Sequence, residues 1–256
     1  MLVRSSELKH NIIIVLFFST LFLFAIPLFS SAQEHKKGET IFGLEAKGII
    51  PSSILNAGEI NLTNDSITVN IKPEYGYSFG MIIRHNFTKM FTLETGLHLT
   101  KRIFPVNFEH TNGIDELSNV EMISYEIPIQ WLLYIQLGEQ MYMNTILGVS
   151  LDIYPSDVTI TKESYAYIII PKSWIQTSLL ASVGFEYRTK SSGYFYFGAS
   201  IHTPFGDMGD FYLSYYHDNS QTEFVTLDTK LSGTYLSADF RYFFNKKKKK
   251  EKEVIY

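Results

Sequence analysis

Cysteine is absent from the 256-residue chain, and tryptophan occurs only twice. The first absence excludes disulfides, thiolate metal sites and cysteine nucleophiles, and it suits passage through an oxidising compartment. An excess of basic charge is missing as well. The 22 Lys and Arg stand against 26 Asp and Glu, for a net charge of −4, so no cationic surface points to nucleic acid. Beyond the first 30 residues no uninterrupted apolar run is long enough for a spanning helix. Any later meeting with a membrane must be made by strands.

Against these absences stand 20 Phe and 17 Tyr, a strand-favouring excess. The N-terminus carries Arg4 and Lys9, then "NIIIVLFFSTLFLFAIPLF", then Ser30, Ser31 and Ala32. Positive charge, an apolar run and small residues in that order make a secretory leader, expected to be cleaved after Ala32. An uncleaved anchor is the alternative, because the run approaches the roughly 18-residue spanning threshold. Pro27 and the Ser-Ser-Ala site favour cleavage.

The rest of the chain alternates. In "YGYSFGMIIRHNFTKMFTLETGLHLTKR", Tyr75, Tyr77, Phe79, Met81 and Ile83 share one parity, with Gly76, Ser78, Gly80, Ile82 and Arg84 on the other. The beat resumes with Phe91, Leu93, Leu97 and Leu99 against Thr92, Glu94, Gly96, His98 and Thr100. A period of two is the signature of strands. Eight such segments are expected, at 40–50, 74–86, 90–104, 123–135, 140–153, 174–189, 193–203 and 233–244. Pro128, inside the fourth, lacks the N–H that a paired strand needs, so a bulge or lumen-side kink is expected there.

The connections alternate too. "FTK", "QLGE" and "KSS" are tight, whereas the other four are rich in Asn, Asp, Ser, Gly and Pro and run to roughly 18–30 residues. Short turns at one end and long loops at the other are the pattern of an outer-membrane barrel. The expected fold is therefore all-β, an eight-stranded antiparallel up-and-down transmembrane barrel. Residues 1–32 form the leader, 33–39 a periplasmic lead-in, 40–244 the barrel and 245–256 a lysine-rich periplasmic tail.

The two parities differ in chemistry. One carries Phe42, Leu44, Leu147, Val149, Leu179, Val183, Phe185, Phe240 and Tyr242. The other holds Glu45, Lys47, Arg84, Glu94, Arg102, Glu126, Asp152, Glu186, Arg188, Asp239 and Arg241, six acids and five bases. Arg or Lys on a lipid-facing wall costs about 2–4 kcal/mol near the midplane, so the apolar parity is assigned to lipid and the charged parity to a salt-bridged lumen. A lipocalin-like soluble barrel is the competitor, with its apolar parity turned inward. The alternating loop lengths favour the membrane version, as do the aromatics near strand ends, namely Phe42, Tyr75, Phe91, Trp131, Tyr154, Trp174, Tyr187 and Tyr242.

"YEIPIQWLLY", "NTILGVSLDIY", "ASVGFEYR" and the closing "SADFRYFF" resemble the PorT-type outer-membrane barrels of Bacteroidetes, which are similar in plan to OmpA-like small barrels. The Tyr-Glu-Ile-Pro element at 125–128 is the most distinctive, and the chain departs from the pattern at Gln130 and Trp131. The resemblance implies a place in the bacterial outer membrane and a role in adhesion, envelope integrity or support of a secretion system. It supplies no catalytic residues.

Functional expectations follow from the wall and the loops. The expected partners are outer-membrane lipid, the outer-membrane assembly machinery, and a protein or surface met through the external loops. Phe211, Tyr212, Tyr215 and Tyr216 in "DFYLSYYHD" are the contact candidates. No cofactor or resident metal is expected, although Asp207, Asp210 and Asp218 offer carboxylates for a hard cation. The alternative functions are a narrow ion or small-solute channel lined by the lumen charges and, behind it, a lipid-modifying enzyme using His98 or His202. No nucleophile elbow accompanies those histidines.

Overall fold

In the computed structural model, residues 38–52, 58–64, 67–88, 91–110, 115–162, 165–216 and 224–245 are described. The leader, all but the last two residues of the lead-in, and all but the first residue of the lysine-rich tail lie outside them. The described residues contain fourteen strands: β1 (Thr40–Ile50), β2 (Ile60–Asn64), β3 (Ile67–Ile71), β4 (Glu74–Asn86), β5 (Thr92–His110), β6 (Asp115–Gln136), β7 (Met141–Ile153), β8 (Val158–Thr161), β9 (Tyr165–Pro171), β10 (Ile175–Arg188), β11 (Tyr194–Pro204), β12 (Gly209–Tyr216), β13 (Phe224–Leu231) and β14 (Tyr235–Phe243).

Eight of these form the wall, in the order β1, β4, β5, β6, β7, β10, β11 and β14, every neighbour antiparallel. Strand β14 pairs back onto β1, and the β5–β6 pairing joins the remaining edges, so the cylinder is closed. Closure leaves no wall edge with unpaired backbone groups, the condition for strands to cross hydrocarbon. Strands β1, β4, β7, β10, β11 and β14 run from 9 to 14 residues, against the roughly 9–11 that a tilted spanning strand needs.

Burial follows the two-residue beat. Along β7 the pattern alternates outward at Met141, Thr145, Leu147 and Leu151 and inward at Tyr142, Asn144, Ile146, Ser150 and Asp152. The outer surface is an apolar belt in which Phe79, Met81, Leu147, Val183 and Phe197 are each more than half exposed. Aromatic pairs reinforce the belt, with Phe195–Tyr242 centroids 5.0 Å apart and Phe197–Phe240 4.8 Å apart. Tyr154 departs from the expected girdle: it is buried, its phenol turned inward to Arg102.

The expected irregularity at Pro128 takes another form. Register runs unbroken along β6–β7, with Pro128 opposite Ser150. On its other side the β5–β6 ladder keeps its register from Thr95↔Ile129 to His98↔Glu126 but makes no pairing at Pro128. The missing N–H therefore removes rungs without adding a residue, and no bulge forms.

The four long connections are not simple loops. One continues β5 and β6 as a single long hairpin beyond the wall, and β2–β3 adds to its edge through β3–β5. The other two fold into a separate four-stranded sheet, β13-β12-β9-β8. Both layers turn apolar side chains toward each other, and Val69, Phe104, Val106, Phe108, Tyr167, Ile169, Phe211 and Leu213 build a core above the barrel. Phe108, Tyr165, Tyr167 and Phe211 continue it as a stack of rings. Phe211, expected as an exposed contact residue, is fully buried there, because the strand parity that exposes Tyr212 points Phe211 inward. The side chains of Tyr215 and Tyr216 lie outside the described residues.

The wall makes a direct prediction. Replacing outward Leu147 by Arg lowers unfolding stability in bilayers by about 2–4 kcal/mol, measured by denaturant titration in lipid vesicles. An unchanged midpoint would contradict the assignment of that face to lipid.

Candidate functional site in the barrel lumen

Register places the charges opposite one another. Glu45 faces Arg241 and Lys47 faces Asp239 across β1–β14, and Arg84 faces Glu94 across β4–β5. His98 faces Glu126 across β5–β6, and Glu126 faces Asp152 across β6–β7. Cross-strand neighbours lie within side-chain reach, so the pattern assembles a polar lumen in two layers.

The layer nearer the tight turns is a continuous ion lattice. Arg84 donates from Nε to Glu94 Oε2 at 2.8 Å and from Nη1 to Glu186 Oε2 at 2.6 Å. Arg241 donates from Nη1 to Glu94 Oε1 at 2.6 Å and from Nε to Glu45 Oε1. Arg188 reaches Glu186 Oε1 at 2.6 Å, and Asn144 donates to Glu186 Oε2 at 3.1 Å. Lys47 and His98 Nε2 lie 3.7 and 2.8 Å from Glu45 Oε2. The guanidinium planes rest on rings: Arg84 is 3.7 Å from the Phe243 centroid, Arg188 is 4.0 Å from Tyr142 and Arg241 is 4.7 Å from Tyr196. His98 reaches the lattice because Gly80 has no Cβ; one there would collide with the imidazole.

The layer beneath the cap is built differently. Tyr235 donates its hydroxyl to Glu126, 3.0 and 3.1 Å from the two carboxylate oxygens. Ser150 donates to Asp152 Oδ1 at 2.6 Å and Ser178 donates to Asp152 Oδ2. His202 Nε2 lies 3.0 Å from Asp152 Oδ2, and its ring stacks on Tyr235 with centroids 4.5 Å apart. Arg102 donates to the Tyr154 hydroxyl at 2.7 Å and to the Gly233 carbonyl at 2.9 Å. Above it, in the cap, the Tyr167 hydroxyl lies 3.1 Å from that of Ser118, and burial raises its phenol above the usual range.

All eleven lumen charges expected from the sequence thus face the interior, and all but Glu126 and Arg102 take part in an ion pair. Sequence reasoning missed the rings that wedge among them: Tyr142, Tyr154, Tyr196, Tyr235 and Phe243. The available signal was bulk on the charged parity, as in Tyr196 between Phe195 and Phe197. The loop acids lie apart from the lumen, with Asp207 3.2 Å from Lys230 and Asp210 3.4 Å from Lys172; Asp218 is outside the described residues. Neither serine beside Asp152 is bonded to His202; both donate to the carboxylate, which leaves no nucleophile–base contact in this cluster.

A closed cylinder with lipid-compatible walls and a paired ionic interior decides the setting. The chain is an outer-membrane β-barrel. No family model matches it, and no curated protein does. Solved structures with some likeness include the outer membrane protease OmpT from Escherichia coli, at 9% identity over 83% of this chain and 97% of that one, TM-score 0.31. The translocator domain of the autotransporter NalP from Neisseria meningitidis overlaps at 8% identity over 90% and 96%, TM-score 0.35. The beta domain of the Bordetella autotransporter BrkA overlaps at 9% identity over 82% and 100%, TM-score 0.34. At TM-scores this low the overlaps carry no weight for activity, location or strand number, which rest on the geometry.

The lattice yields a stability prediction. Arg84→Met takes one of two cationic partners from each of Glu94 and Glu186 and lowers stability by about 3–5 kcal/mol, read from urea unfolding in detergent micelles. The double change R84M/E94Q, which restores the balance of acids and bases, recovers part of the loss; an R84M variant as stable as the parent would contradict the lattice's role.

Proposed function

We propose that this barrel is a non-catalytic interaction protein of the outer membrane whose folded external cap binds a protein partner. One observation carries the reading. The outward face of the β13-β12-β9-β8 sheet presents Tyr212 and Ile170, both about two-fifths exposed, beside partly exposed Ile168. Register sets Tyr212 against Ile168 and Asp210 against Ile170, with Lys172 paired to Asp210 at the edge. An apolar centre with a tyrosine and a charged rim is the composition of a contact patch. The cap's own core holds that face in place.

The filled interior supports the same reading over a channel. An eight-stranded barrel is just wide enough for side chains to fill. Here Ile41, Ile82 and Phe243 pack at the turn end, the ion lattice fills the middle, and the cap core lies at the other end. The sequence resemblance to PorT-type barrels adds the class of role: support of a secretion or envelope system, with the partner another envelope or secreted protein.

The test places a photo-crosslinking phenylalanine at Thr226, on the exposed face beside Tyr212, in intact cells. A discrete adduct that falls at least tenfold in Y212D/I170S, with heat-modifiable migration unchanged, is the expected result. An adduct that survives the double change, or none from a folded protein, would overturn the proposal for this face.

A further inference from the structure

The two lumen layers differ in charge balance. In the lower one, Glu45, Glu94, Glu186 and Asp239 meet Lys47, Arg84, Arg188 and Arg241, four acids for four bases. In the upper one, Glu126 and Asp152 share the space with a single base, Arg102, whose hydrogen bonds go to a phenol and a carbonyl. Lys47 and Arg102 act on Glu126 only through space. Among the described residues Glu126 has no ion pair at all, and Asp152 has one only if His202 is protonated. Two buried carboxylates with no direct ion pair to a Lys or Arg are expensive.

We infer that this upper cluster is a binding site for one divalent transition-metal ion of the zinc type, with Glu126, Asp152 and His202 as its protein ligands. One donor atom from each lies within 4.8 Å of the others, and all three side chains are buried. His202, 1% exposed, turns Nε2 to within 3.0 Å of Asp152 Oδ2, and its buried Nδ1 has no hydrogen-bond partner. A buried ring nitrogen without a partner points to a bonding partner other than protein. Ligands on a tetrahedral zinc stand about 3.4 Å apart; the His202–Asp152 pair is at 3.0 Å, and the Glu126 donor lies within 4.8 Å of both.

The surroundings orient the donors as outer-shell groups do. Ser150 and Ser178 fix Asp152, while Tyr235 fixes Glu126 and stacks on His202. The ligand chemistry selects the ion: imidazole with carboxylates suits zinc, manganese or nickel rather than calcium or magnesium, and the lack of thiol disfavours copper(I). A cavity of about 470 Å³, lined in part by Ile71, Phe104, Lys230, Thr203 and Thr234, lies beside the cluster in the chain. Thr203 and Thr234 are the chain neighbours of His202 and Tyr235. Bound there, the ion ties β6, β7 and β11 together directly beneath the cap. This site stands independently of what the cap binds.

The experiment uses untagged full-length protein, refolded in detergent, stripped with EDTA and titrated with zinc chloride by calorimetry. One zinc per chain at micromolar affinity or tighter is expected, weakened at least tenfold in both His202→Ala and Glu126→Gln and unchanged in His85→Ala at the turn end. Glu126→Gln preserves shape and carries the test where His202→Ala fails to fold. Folded parent protein that takes up no zinc overturns the inference. Undiminished binding by Glu126→Gln also overturns it, by placing the zinc elsewhere.

Discussion

Everything in this barrel depends on charges that only one another can satisfy. Glu94 accepts from Arg84 with one oxygen and from Arg241 with the other, while Glu186 does the same for Arg84 and Arg188. Buried with rings packed against them, the guanidiniums of Arg84 and Arg241 each bind more than one strand. Arg84 joins β4 to β5 and β10, and Arg241 joins β14 to β1 and β5. The lattice holds the cylinder closed across its diameter, where backbone ladders act only between neighbours. It also sets the register: a one-residue slip would turn the lumen charges toward hydrocarbon and the outward Leu and Phe of the wall inward.

Much of this was legible in the sequence because the wall obeys one rule. Alternation places Leu147, Val183 and Phe240 outward and Glu186, Asp239 and Arg241 inward, and β1 and β4 begin and end where the pattern says. The cap was not legible for an equally physical reason. Segments such as "ITVNI", "VTIT" and "FVTLDTKL" are four to eight residues long and lie among Asn, Asp and Ser, so their composition reads as loop. Only tertiary contact gives them a buried face. Phe211 illustrates the error: in a loop its ring is bait for a partner, whereas in a strand its parity commits it to the core beside Tyr167.

The lumen site was legible as a list of charges but not as two layers. Strand neighbours with closed-barrel register are needed to see that Glu126, Asp152 and His202 converge from β6, β7 and β11, positions far apart in the chain. The same register explains why the lower layer balances and the upper does not. Arg102 donates to the Tyr154 hydroxyl and the Gly233 carbonyl, uncharged acceptors where the lower guanidiniums meet carboxylates. The interior thus divides into a lower layer in which acids and bases balance and an upper cluster in which acids outnumber bases.

The central claim is the orientation of the wall, and the absence of cysteine makes it directly measurable. Single cysteines placed in turn from 143 to 151 along β7 carry a nitroxide label as the only thiol adduct in the chain, and electron paramagnetic resonance reads each site's collision with oxygen and with a water-soluble nickel chelate in vesicles. The account predicts a two-residue alternation, with oxygen-rich, nickel-poor labels at 143, 147, 149 and 151 and immobile, poorly accessible labels at 144, 146, 148 and 150. Nickel-accessible labels at the first set, or oxygen access that peaks at the second, would contradict it.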